Sequence, residues 1–240
     1  MDNESIICLF VILWLLGTAI ILWVIGFTEF SYFSPSLVNG LYNLFAPIYR
    51  FKWLSPFYQS TKLQDKLFVT PLKNALEGKL ETQVLDLACG SGRMSCLLLQ
   101  NDWFDGQIEA IDFSEGMLAE FASRLKSMSP NKQSRITINK MDLTEWAGKA
   151  NHYDVVILTE ASEFLPNFPE LVRLISDSLK VGGLFLLTKP PEWLAWLYFG
   201  RKQRASTLKK LLQQHDFTDV KILSWSPRYD VVQAWKRADR

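Results

Sequence analysis

The sequence predicts an α/β fold: a doubly wound sheet of seven strands, mostly parallel with an antiparallel C-terminal strand, preceded by one transmembrane helix. Three observations predict it. From Thr70 onward, short apolar runs alternate with segments of helical period, the pattern of parallel strands joined by right-handed crossovers. The last two strands have no helix between them, so they are expected to pair antiparallel at one edge. Residues Ile6 to Phe27 carry no charge. The chain divides accordingly into a tail and single transmembrane helix (1–28), an aromatic connector that gates the substrate (29–70) and a folded domain (71–240).

Composition narrows the function classes. The 240 residues carry a formal net charge of +1, which gives no electrostatic bias toward nucleic acid. Hydrophobic residues make up 48% of the chain and nine are Trp, which points to contact with something apolar. Cys8, Cys89 and Cys96 have no metal-ligand spacing, and their odd count argues against a disulfide framework. Cys89 and Cys96 read as small buried thiols. Two His are too few for a His-rich site, and no metal is expected.

The run Ile6–Phe27 is rich in Ile, Leu, Val, Phe and Trp. At about 1.5 Å per residue it reaches roughly 33 Å, close to the ~30 Å hydrocarbon core of a bilayer. Trp23 lies near one end, where an interfacial ring is expected. A cleaved signal peptide fits poorly, because Asp2 and Glu4 stand where Lys or Arg belong and no small-x-small cleavage site follows. Arg50, Lys52, Lys62 and Lys66 follow the span, so the positive-inside bias places the C-terminal side in the cytoplasm.

In the connector, Pro35, Pro47 and Pro56 cut any long helix into pieces. The aromatic density from Phe30 to Tyr58 is too high for a passive linker, and this segment is expected to pack on the domain or the bilayer. Then Pro71 to Leu80 reads as a helix, with Pro71 in its first turn and Gly78 near its end. Strands are predicted at 83–88, Gln107–Phe113, Arg135–Lys140, Tyr153–Thr159, Leu184–Thr188, Val220–Trp225 and Tyr229–Trp235. The Tyr153–Thr159 run is almost continuously apolar, as a strand covered on both faces requires. Helices are predicted at 92–100, at Glu115–Lys126 with Ser114 as its cap, at Pro169–Leu179 and at Thr207–His215. Gly182-Gly183 reads as a turn before the fifth strand.

Asp86-Leu87-Ala88-Cys89-Gly90-Ser91-Gly92 turns from the first strand into a helix. Gly90 and Gly92 let a ligand approach the main chain, whose N–H groups are expected to point at one spot beside the Asp86 carboxylate. Asp112 ends the second strand about 20 residues past Gly92, where an acid suits bidentate hydrogen bonding to two ribose hydroxyls. To this point NAD and S-adenosylmethionine (SAM) both fit. The dinucleotide fingerprint wants Gly where Ser95 stands. Asp86 would also repel a pyrophosphate, yet it accepts from an ammonium group.

The motifs resemble those of the class I, seven-strand SAM-dependent methyltransferases. Val84-Leu85-Asp86-Leu87-Ala88-Cys89-Gly90-Ser91-Gly92 is similar to their first motif, and Ile111-Asp112-Phe113-Ser114-Glu115-Gly116-Met117-Leu118 to their second. Asp142, Tyr153-Asp154-Val155-Val156 and Leu179-Lys180-Val181-Gly182-Gly183 follow in the family's order, so the resemblance covers Thr70 to Lys236. Leu44-Phe45-Ala46-Pro47-Ile48-Tyr49 resembles the segment that precedes the core in the quinone-type, small-molecule branch. Ala88 departs from the more common Gly. The resemblance implies a Rossmann-like domain and SAM as cofactor. It implies that Asp86 and Ala88, Cys89, Gly90, Ser91 and Gly92 hold the methionine part and that Asp112 binds the ribose. Phe113 and Met117 would then line the adenine, with Asp142 and the Leu143 backbone at its amino edge. Thr159 and Glu160 would face the methyl group.

Methyl transfer is an in-line displacement, to which positioning contributes up to ~7–11 kcal/mol. Any general base is expected in Glu160 or Glu163; each carboxylate has a second reading, as a group that binds the SAM amine or a loop backbone. His152 and His215 fall at the opposite end of the sheet and read as surface residues. Tyr42, Tyr49 and Tyr198 are candidates to line the acceptor pocket. Pro190 to Gly200 is aromatic, and Arg201, Lys202, Arg204, Lys209 and Lys210 follow it. Residues 190–204 therefore read either as a second membrane contact or as a lid packed on the domain with its charges solvated. The expected function is methyl transfer from SAM to a lipophilic small-molecule or lipid acceptor, by a single-pass membrane protein with its domain on the cytoplasmic side. The competing readings are a catalytically silent subunit of the same fold acting through a protein partner, and an NAD-linked reductase.

Overall fold

The computed structural model describes residues 3–28, 35–46, 61–165, 167–197 and 204–237. Helix α1 (Asn3–Thr28) contains the uncharged run. Its window Ser5–Leu22 has a mean hydropathy of 2.8 and none of it is buried in the protein. The Thr18 hydroxyl donates to the Trp14 carbonyl at 2.8 Å, which removes a polar group from the helix surface. Helix α2 (Pro35–Phe45) starts at Pro35, where the missing N–H costs nothing. The Trp23 side chain lies outside the described residues, as do Arg50, Lys52, Trp53, Phe57 and Tyr58.

The helix expected from Pro71 begins ten residues earlier as α3 (Thr61–Gln64), passes through a π-helical turn (Asp65–Val69) and continues as α4 (Thr70–Leu76). Proline in a continuing helix strips the carbonyl four residues back of its donor. Here that carbonyl is Leu67, and the Gln233 side-chain amide donates to it at 3.0 Å. The π turn just ahead of Pro71 and the borrowed donor let the helix run through the proline.

The domain then follows the alternation: β1 (Gln83–Leu87), α5 (Arg93–Gln100), β2 (Gln107–Asp112), α6 (Glu115–Leu125), α7 (Pro130–Gln133), β3 (Ile136–Lys140), β4 (Tyr153–Leu158), α8 (Phe168–Ser178), β5 (Leu179–Lys189), α9 (Ala205–Gln214), β6 (Phe217–Ser224) and β7 (Asp230–Lys236). The sheet order is β3-β2-β1-β4-β5-β7-β6, and β7 alone runs antiparallel to both of its neighbours. Every residue of β4 is buried. Two apolar layers flank the sheet. One gathers Phe68, Leu72, Met94, Phe121 and Ile157, the other Leu85, Val156, Val172, Phe185 and Phe217.

Gly182-Gly183 is not a turn between elements. It lies inside β5, where the pairing with β4 slips between Tyr153 and Val155 and Gly182 takes φ +73°. The glycines form an irregularity in one long strand, which sheet pairing holds together across them. Asp154, on the β4 side of that irregularity, accepts from the Gln83 N–H at 2.9 Å and from Lys180 Nζ at 2.8 Å. It ties the amino ends of β1, β4 and β5 together, at the end of the sheet away from the glycine loop.

Candidate active site at the carboxyl ends of β1, β2, β4 and β5

The registers Leu87↔Ile111, Leu87↔Leu158 and Leu158↔Leu187 bring the carboxyl ends of β1, β2, β4 and β5 level. The order of strands reverses between β1 and β4, where open α/β sheets open a crevice. The glycine loop leaves β1 at that point.

Three left-handed residues make the loop: Ala88 (φ +49°), Gly90 (φ +53°) and Gly92 (φ +73°). At Gly92 a side chain is barred by packing, since a Cβ would sit 2.0 Å from Cδ2 of Phe121. At Gly90 a Cβ would meet open space within 4 Å. The open side of Gly90 is the cradle a ligand needs. The N–H groups of Cys89, Gly90 and Gly92 are already bound, to the Ile111 carbonyl at 3.0 Å, the Asp112 carboxylate at 2.8 Å and the Cys89 carbonyl at 2.9 Å. The expectation of a loop whose donors all face a ligand holds only in part, because three of them fix the loop itself.

Asp86 is buried, and one of its oxygens accepts from the Ser95 N–H at 3.1 Å and the Ser95 hydroxyl at 2.6 Å. Desolvation pushes its carboxyl up to about 6, against the pull of the Ser95 bonds. Ser95 thus has a structural role: it clamps the first turn of α5 to the end of β1. Asp112 is buried too. It accepts from Gly90 N–H and from Ser114 N–H, both at 2.8 Å, and burial raises its pKa. Cys89 and Cys96 are buried, and desolvation pushes the Cys89 thiol up.

Ser114 caps α6 by accepting from the Met117 N–H at 3.3 Å. Phe113 is half-buried and Met117 buried. Asp142 is exposed and accepts from the Thr144 N–H and hydroxyl at 2.9 and 2.8 Å, while Leu143 packs on the second apolar layer. Ser91 is buried and Thr159 half-buried.

The two candidate bases occupy different settings. Glu160 (φ +57°) forms an ion pair with Arg93 at 2.6 Å, and its N–H donates to the Thr188 hydroxyl at 2.6 Å. Arg93 in turn lies 4.9 Å from the centre of the Trp225 ring. Glu163 is 2% exposed and accepts from the Tyr229 hydroxyl at 2.5 Å. Desolvation, opposed by that bond, pushes its carboxyl up to about 7. His152 and His215 are half-buried; the N–H of His152 donates to the Ser178 carbonyl at the amino end of β4. Tyr49 and Tyr198 lie outside the described residues, as does the Tyr42 side chain. In the 190–204 segment, Leu194 is buried and Trp193 exposed.

Sequence reasoning missed Arg93, Tyr229 and Asn43. Arg93 adjoins the glycine motif and was legible as its first helical residue. Nothing local marks Tyr229 or Asn43, because their partners lie 66 and 71 residues away in the chain.

A level set of strand ends, a left-handed glycine loop with one open face and a buried acid on the next strand define a nucleoside-cofactor site on a doubly wound sheet. Comparison with known proteins sharpens that class. Residues 84–183 match the family model described as a methyltransferase domain. The chain is 31% identical over 176 residues to a demethylmenaquinone methyltransferase of Leptospira interrogans, covering 70% of this chain and 68% of that protein. It is 26% identical over 155 residues to a 2-phytyl-1,4-naphtoquinone methyltransferase of Synechococcus elongatus, covering 64% and 63%. Among solved structures, the [4+2]-cyclase SpnF superposes with a TM-score of 0.64 at 16% identity, covering 84% of this chain and 96% of that one. The Haemonchus contortus phosphoethanolamine N-methyltransferase 2, in complex with phosphomonomethylethanolamine and S-adenosylhomocysteine, superposes with a TM-score of 0.56 at 15% identity, covering 73% and 56%. These two show the fold alone. The chain belongs to the class I SAM-dependent methyltransferases, and SAM is its cofactor.

Proposed function

We propose that this protein is a single-pass membrane methyltransferase whose acceptor is a lipophilic small molecule or lipid, with a quinone-type ring the leading candidate. The observation that carries the reading is the pairing of α1, apolar over Ser5–Leu22, with relatives named for methylating demethylmenaquinone and a phytyl naphthoquinone. The helix holds the domain at the bilayer, on the cytoplasmic side by the charge bias of the sequence. There a tailed acceptor reaches the site without crossing water.

The residues fit the cofactor. Gly90 leaves room for its methionine part, with Ala88, Cys89, Ser91 and Gly92 shaping the loop and Asp86 anchored behind it. Asp112 keeps acceptor capacity for the ribose beyond the backbone bonds it accepts. Phe113, Met117, Asp142 and Leu143 frame the adenine, and Thr159 closes the methyl side. When bound, SAM supplies an electrophilic methyl group on a sulfonium. The chain's own work is alignment, exclusion of water and disposal of the proton that the acceptor loses. Glu163 suits proton uptake, because burial holds its carboxyl near neutrality and Tyr229 extends its reach. Glu160 is occupied by Arg93 and serves to orient that side chain.

The test is turnover by the full chain in detergent with a demethylated quinol bearing a lipid tail. The reading expects a product one methyl heavier and an equal amount of S-adenosylhomocysteine. Methylation confined to water-soluble acceptors would overturn the choice of acceptor. SAM binding without turnover on any acceptor would favour the silent subunit.

A further inference from the structure

Helix α2 belongs to the connector, yet it reaches the turn that carries the second-strand acid. Oδ1 of Asn43 accepts two hydrogen bonds there, from the Ser114 hydroxyl at 2.9 Å and from the Gly116 N–H at 2.8 Å. Ser114 is also the residue whose N–H holds Asp112, and Asp112 holds the N–H of Gly90. A continuous chain of hydrogen bonds therefore runs from the connector helix to the glycine loop.

The packing at Gly116 shows that this contact is fitted. Gly116 is the only residue type that admits it without displacement, since a Cβ there would lie 2.8 Å from the Asn43 Cα and 3.1 Å from its carbonyl oxygen.

We propose that Asn43 is a positioning residue for the cofactor: by holding Ser114 and Gly116 it fixes the turn that orients Asp112, so SAM binds tightly only when the connector helix is docked. The inference rests on the reading of Asp112 as the ribose acid. It gives the segment between α1 and the domain a hold on the cofactor through Ser114 and Asp112.

The experiment is calorimetric titration of SAM into the full chain in detergent micelles, for wild type and four variants, with kcat and KM for SAM measured alongside. Asn43→Leu keeps the volume and removes the acceptor. It is expected to weaken binding about tenfold, the loss of two hydrogen bonds to the turn, and to raise KM without lowering kcat. Gly116→Ala improves the helix propensity of α6 while pushing α2 away, and is expected to weaken binding similarly. Asn43→Asp retains an acceptor oxygen and is expected to bind within about threefold of wild type. Asp112→Asn is expected to bind more weakly than any of these. Wild-type affinity in both Asn43→Leu and Gly116→Ala, with Asp112→Asn weakened, would overturn the inference alone. Unchanged affinity in Asp112→Asn would remove the ribose reading and the inference with it.

Discussion

Gly90 and Gly92 share a left-handed backbone but not a purpose. A Cβ at Gly92 collides with Phe121, so Gly92→Ala meets both overpacking and backbone strain, together about 3 kcal/mol. A Cβ at Gly90 collides with nothing in the protein, and Gly90→Ala bears only the strain of about 1–2 kcal/mol. Calorimetry is expected to show Gly92→Ala losing stability first, and Gly90→Ala losing SAM affinity while the domain stays folded. Equal stability loss in the two, with SAM binding intact in Gly90→Ala, would contradict the open-faced cradle. Ala88 is left-handed as well, which explains why Gly is the commoner residue at that place in the family.

Glu163 gives the residue scale its pH dependence. Its folded pKa of about 7 stands above the ordinary 4.5, so the folded state holds this proton more tightly than the unfolded chain does. The stability that follows is fully present below pH 4.5 and is lost as pH rises through about 7. Glu163→Gln keeps an acceptor for Tyr229 and removes the titration. Between pH 5 and pH 8, wild type is expected to lose stability relative to this variant by on the order of 2–3 kcal/mol, read by denaturant titration. Turnover by wild type is expected to rise across pH 7, and Glu163→Gln to lack the rise.

At the scale of elements, the path of the chain around Pro71 turns on one distant side chain. Gln233 on β7 donates to the Leu67 carbonyl that Pro71 cannot serve. Gln233→Leu leaves that carbonyl buried without a donor and is expected to cost about 1–3 kcal/mol, measured as a shift of the unfolding midpoint at unchanged slope. This contact marks the limit of what was legible in the sequence. The strand–helix alternation, the Ser114 cap and the glycine loop are local patterns, and each lies where the residues predict. The helix start, the run of β5 through Gly182-Gly183 and the α2 contact are decided by partners far along the chain. Pro71 and the glycines read locally as breaks. A borrowed donor and the pairing of β5 with β4 on both sides of the glycines override them.

At the scale of the molecule, the candidate site divides in the same way. The acids Asp86 and Asp112 were legible because spacing from the loop fixes them. Their settings were not: Asp86 is bound to Ser95, and Asp112 holds the loop as well as facing the ribose in our reading. Glu160 and Glu163 look equivalent in sequence, and only folding pairs one with Arg93 and the other with Tyr229. An N-terminal apolar helix, a connector helix docked on the turn after β2 and a site at the strand ends are the features on which we base the proposal of an enzyme that works at a bilayer surface.

The most direct test is to incubate membranes containing the full chain with methyl-labelled SAM and to separate the lipid extract from the aqueous phase and the protein. The account predicts label in the lipid extract, absent from membranes carrying the Gly90→Ala variant. Label confined to water-soluble products or to protein, or none transferred by a chain that binds SAM, would contradict it.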